Sequence, residues 1–109
     1  MVRVTVFRER GIPVGFELTG HAKAGAYGED IVCAGISAIT QTALLGITDV
    51  LQLDAAIARE EGNMRCELSR ETAPEDLDKA AVVFNTMIAG LTSLRQAYPK
   101  SLKFSYREV

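Results

Sequence analysis

Gly20-His21-Ala22-Lys23-Ala24-Gly25-Ala26-Tyr27-Gly28-Glu29-Asp30-Ile31-Val32-Cys33-Ala34-Gly35-Ile36-Ser37 is the stretch on which the reading of this chain turns. Before it, apolar residues recur at every second position; after it, they crowd together with almost no charge. That change of period marks a junction between strand and helix. Gly20, Gly25 and Gly28 punctuate an aperiodic segment, expected to be a flexible loop that orders as a lid when a ligand binds. Asp30 ahead of Ile31-Val32-Cys33 reads as a helix N-cap, which places Cys33 in the first turn. The positive end of the helix dipole favours a thiolate there. His21 is the one histidine of the chain, and an imidazole accepts a proton near neutrality. Folded back across the glycine loop, it would give Cys33 the base that a thiol nucleophile needs.

Upstream, Val2, Val4 and Val6 alternate with Arg3, Thr5 and Phe7, and Val14, Phe16 and Leu18 alternate with Gly15, Glu17 and Thr19. Two half-buried strands joined at Gly11 as a hairpin follow from that pattern. Downstream, Ile31 to about Leu51 predicts a helix apolar enough to be covered on two sides, by a sheet and by another element or a partner subunit. Gly35 and Gly46 mark close packing within it or the ends of a shorter helix. Leu53 to Glu60 suits an extension of that helix, whereas the turn Glu60-Glu61-Gly62-Asn63 favours a strand from about Ala55 to Arg59 pairing with one from Met64 to Arg70. Ala73-Pro74-Glu75-Asp76 starts a second helix, carried by Leu77, Ala81, Phe84, Ile88, Leu91 and Leu94 and ended by Tyr98-Pro99. Leu102, Phe104 and Tyr106 alternate as a final strand. The expectation is one domain over residues 1–109, ββαββαβ: a two-layer α+β sandwich of about five antiparallel or mixed strands and two helices.

A net charge of −2 with 24% charged residues argues against a direct nucleic-acid or membrane-surface partner. The longest apolar run, within Ile31 to Leu53, is broken by Ser, Thr, Gln and Asp and is not expected to cross a membrane. Met1 to Arg10 carries charges throughout and does not resemble a signal peptide. Two cysteines in such a chain read as reduced thiols, so a cytoplasmic location is expected. Cys66 alternates with Met64 and Leu68 and reads as core. One histidine and two distant cysteines make no metal set, and no phosphate- or dinucleotide-binding glycine motif is present; no cofactor is expected.

The Gly20-His21-Ala22 start, the Gly28-x-Asp30-Ile31-Val32-Cys33-Ala34 run and Ser37 one turn further resemble the ribosomal-processing cysteine protease family, Prp, whose length and element order match the whole chain. The resemblance implies that Cys33 is the nucleophile and His21 the base, and that the substrate is an extended peptide. In that family the peptide is the N-terminal extension of large-subunit ribosomal protein number twenty-seven. It also favours the hairpin over a longer first helix. Asp30 then either caps the helix alone or also orients His21; Ser37 either bonds to the helix backbone or lines the site. The free N–H groups at the start of the helix, that of Cys33 included, are candidate oxyanion donors. The apolar surface of the first helix, with Phe84 to Leu94, suggests a homodimer. Two other functions compete: a non-catalytic peptide-binding ribosome-assembly factor, and a redox sensor built on Cys33.

Overall fold

In the computed structural model, residues 1–20, 27–60 and 62–109 are described, the side chains of 27–30 excepted. Strands β1 (Val2–Glu9) and β2 (Ile12–Thr19) form the expected hairpin, followed by helix α1 (Tyr27–Leu45), strands β3 (Ala55–Glu60) and β4 (Asn63–Leu68), helix α2 (Pro74–Ala97) and strand β5 (Leu102–Glu108). The five strands make one mixed sheet in the order β3-β4-β2-β1-β5. β1 pairs antiparallel with β2 and parallel with β5. The two-layer α+β expectation therefore holds.

Register decides which residues share a face. Val4 lies opposite Leu18 and Val6 opposite Phe16; Phe16 lies opposite Cys66 and Leu18 opposite Met64. These side chains point to one side of the sheet and are all buried. Val32, Ile36, Ala43 and Leu44 of α1 and Ala80, Phe84, Met87 and Leu91 of α2 close the core above them. Phe84 meets Phe16 edge-to-face, with ring centroids 6.2 Å apart. On α2 the fully buried positions are Ala80 and Met87 rather than Ala81 and Ile88, a shift of one residue around the same helical face.

The other sheet face is polar, with one exception. Phe7 belongs to the Arg3-Thr5-Phe7 row yet is fully buried. The guanidinium groups of Arg65 and Arg107 cover its ring at 4.8 and 5.1 Å from the centroid. Gly15 is its neighbour across the strands. A Cβ at Gly15 would sit 2.5 Å from the Cys66 carbonyl oxygen and 3.2 Å from the Phe7 ring, so only glycine fits. Arg65 is held there by Glu17 and Glu67 at 3.1 and 2.9 Å.

Two features of α1 differ from the sequence expectation. The helix begins at Tyr27, three residues before Asp30, so Asp30 lies within it and is not its N-cap. At the other end the coil widens at Gly46–Val50 into one π-helical turn, with Leu51 N donating to Gly46 O at 2.9 Å. Gly46 marks close packing: a Cβ there would stand 3.0 Å from Val83 of α2. At Gly35 the nearest atom would be an ordinary 3.6 Å away, so packing does not require that glycine. By length and composition Ile31–Val50 does pass for a membrane span, with mean hydropathy 1.7 over 20 residues. The intervening Ser, Thr and Gln are too few to break it; a third of the segment is buried, with Val32, Ile36, Ala43, Leu44 and Ile47 in the hydrophobic core.

Candidate active site

Cys33, Ile36, Ser37 and Gln41 follow one another along α1 at offsets of three, four and eight residues, which is one helical face. This face looks onto the end of the sheet where β2 finishes and the β3–β4 hairpin turns. Between them lies an open groove of about 390 Å³. Val2, Leu18, Ile36 and Met64 supply its apolar floor; Gly20, Ser37, Gln41, Arg59, Glu60, Gly62 and Asn63 supply its polar rim. Cys33 lines the groove, half-buried against the core and not in a disulfide.

The chain reaches this groove by a defined turn. Gly20 ends β2 at φ +77°, a backbone that glycine adopts freely, and a Cβ there would press to 2.8 Å from the Met1 carbonyl oxygen. Gly20 is thus a groove wall and the residue that precedes His21. His21, Gly25 and the Asp30 side chain lie outside the described residues; Gly28 falls within α1, so it is helical and not part of the expected loop.

Ser37 lines the groove, and its hydroxyl is held by a side chain. Gln41 Nε2 donates to Ser37 Oγ at 2.9 Å. Thr40, beside them but fully buried, satisfies its hydroxyl on the Ile36 carbonyl at 2.9 Å. The sequence reading missed Gln41, Arg59, Glu60 and Asn63. For Gln41 a signal existed, since it falls two turns after Cys33; the other three enter only through the strand order.

The earlier start of α1 corrects one chemical expectation. Cys33 lies in the second turn, so its N–H belongs to the internal helix ladder and is not one of the free donors at the helix start. The end-of-helix field is concentrated in the first turn and acts ahead of Cys33. Cys66 sits in the core, as its alternation with Met64 and Leu68 indicates, and burial pushes its thiol up to about 11. Among the described residues no three His, Cys, Asp or Glu side chains come together as metal ligands would.

A half-buried cysteine opening into a groove, on the first helix of a two-layer α+β sheet, defines a small thiol-bearing domain with room for an extended ligand. The sequence pattern of the cysteine protease Prp family matches residues 1–103, and the chain belongs to that family. It is 29% identical over 107 residues to the ribosomal processing cysteine protease Prp of Bacillus subtilis (strain 168), covering 94% of this chain and 95% of that one. Among solved structures, SMU.848 from Streptococcus mutans superposes with a TM-score of 0.86 at 29% identity, over 100% of this chain and 96% of that one. The ribosomal processing protease Prp from Staphylococcus aureus, in complex with a substrate peptide, superposes at 0.82 with 24% identity, over 98% of this chain and 100% of that one. At that identity the likeness establishes the fold.

Proposed function

We infer that this chain is an endopeptidase that removes the N-terminal extension of large-subunit ribosomal protein number twenty-seven, with Cys33 as nucleophile and His21 as base. One observation carries the reading: Cys33 and Gly20, the residue preceding His21, line the same groove, whose apolar floor and polar rim suit an extended peptide. His21 takes the Cys33 thiol proton as the sulfur attacks the scissile carbonyl carbon, and gives that proton to the departing amine as the C–N bond breaks. Water, deprotonated by His21, then cleaves the thioester and restores the thiol. The relatives named for ribosomal processing support the choice of substrate. Asp30, one turn before Cys33 within the helix, is assigned to support His21.

The reaction belongs in a bacterial cytoplasm, where the precursor is made and thiols stay reduced. A homodimer fits a second, outward groove of about 710 Å³ between α1 and α2, lined by apolar residues such as Ile39, Leu45, Val50 and Val82. Val50 and Val82 are 78% and 66% exposed in the single chain. Sedimentation of a monomer at high concentration would overturn the dimer.

The test is incubation of the purified protein with the long precursor, followed by intact mass spectrometry. Cleavage at one bond near the precursor's N-terminus, lost in Cys33→Ser and in His21→Ala, is the expected result. Cleavage that survives either substitution overturns the dyad. A wild type that leaves the precursor whole overturns the substrate.

A further inference from the structure

The helical threonines of this protein share a habit that its two helical serines, Ser37 and Ser93, do not. Thr40, Thr42, Thr48, Thr86 and Thr92 each donate to the carbonyl four residues back, at 2.6–3.1 Å. This is one of the two usual dispositions of a hydroxyl within a helix, the other being to point outward. Among the described residues Ser37 makes no such bond; its Oγ accepts from Gln41 Nε2 at 2.9 Å instead. A serine hydroxyl has one proton to give and two lone pairs. Gln41 engages a lone pair, so the Ser37 proton remains free, and both side chains line the groove that Cys33 opens into.

We propose that Gln41 is a positioning residue: by donating to Ser37 Oγ it turns the Ser37 hydroxyl proton into the groove, where it binds a backbone carbonyl of the peptide substrate. The inference rests on the reading of Cys33 as the nucleophile. Ser37 stands four residues, about 6 Å of helix rise, beyond Cys33. An extended peptide advances about 3.3 Å per residue, so a substrate strand following this helix face presents a carbonyl to Ser37 about two residues from the scissile bond. A bond to backbone grips any sequence there and fixes the register of the peptide against the sulfur. The Gln41 amide supplies the polarity: a donor in its place frees the Ser37 proton, whereas an acceptor captures it.

Substitutions at Gln41 separate this role from a structural one, because Ala, Glu, Lys and Gln have similar helix preferences. The probe is a synthetic peptide spanning the N-terminal extension of the ribosomal protein and its cleavage point. Its KM and kcat are measured with wild type, and its affinity by calorimetry with Cys33→Ala protein. Gln41→Ala and Gln41→Glu are expected to raise KM and weaken peptide affinity about three- to tenfold. Gln41→Lys, which can only donate, stays within about twofold of wild type. In a Ser37→Ala background Gln41→Ala and Gln41→Glu lose their effect, the mark of action through Ser37. Glu and Lys variants that behave alike, or a Gln41→Ala loss that persists without Ser37, overturn the proposal. If the wild type binds but does not cleave the peptide, the nucleophile reading fails while the affinity series still decides the role of Gln41. A peptide that does not bind at all overturns both.

Discussion

Cys33 and Cys66 are the same side chain in opposite surroundings. Cys66 stands on a central strand between Phe16 and Ile57 of the neighbouring strands, fully buried, and its thiol is held neutral by desolvation. Cys33 stands on a helix that presents one face to the core and another to a groove, so its sulfur is part packing and part surface. The sheet makes a thiol inert; the edge of the helix layer leaves one available. Reactivity here is a matter of which element carries the sulfur and how far that element's other face is covered.

The sharpest way to break the comparison is to remove each sulfur in turn. Cys33→Ala should lower kcat/KM for precursor cleavage by more than about 10³-fold, with thermal unfolding nearly unchanged; Cys66→Ala should keep the activity and lose about 1 kcal/mol of stability. Steady-state cleavage and urea denaturation read the two effects. Equal loss of activity in both would remove the distinction.

How far the sequence foretold this arrangement depends on the element. The strands that bury alternate residues, β1, β2 and β4, and the periodic helix α2 declare themselves because one face of each meets the core. β3 carries Ala55-Ala56-Ile57-Ala58 at the sheet edge, mostly exposed, and has no such alternation to read. The parallel pairing of β5 with β1 depends on a crossover through α2, which no local pattern encodes. The start of α1 misleads for a local reason: Asp30 before Ile31-Val32-Cys33 has the chemistry of a cap, but the backbone is already helical at Tyr27. Phe7 misleads for a tertiary one, since its place in the polar row holds only until two arginines and a glycine from other strands enclose it. For Cys33 the neighbours in sequence foretold a helix position but set it one turn too early. The groove that gives it purpose is assembled from β2, α1 and the β3–β4 hairpin, and belongs to the fold.

The interior surrounding Cys66 is held by close packing, and its failure should be costly. Phe84→Ala removes the ring that stacks edge-on to Phe16 and should cost about 3–5 kcal/mol in denaturant unfolding. Gly15→Ala forces a methyl against the Cys66 carbonyl and the Phe7 ring, and should cost about 1–3 kcal/mol by the same measurement. If either change were free, the sheet around Cys66 would be far looser than the structure shows.

A smaller effect comes from pH. The Cys66 thiol is raised from an ordinary value of 9.0 to about 11 in the folded chain. Above pH 9 the unfolded state releases this proton while the folded state keeps it, so the unfolded state gains. Stability should therefore fall between pH 9 and 11, by up to about 1.4 kcal/mol per pH unit from this group. Comparing wild type with Cys66→Ala isolates the contribution, which the variant should lack.

The measurement that tests the central claim most directly is rapid acid quenching of the wild-type protein mixed with excess precursor, with intact mass and peptide mapping of the enzyme. The account predicts a transient thioester carrying the removed N-terminal fragment, located on Cys33 and absent from Cys66. Turnover without any covalent fragment, or a fragment mapped to another residue, would contradict it.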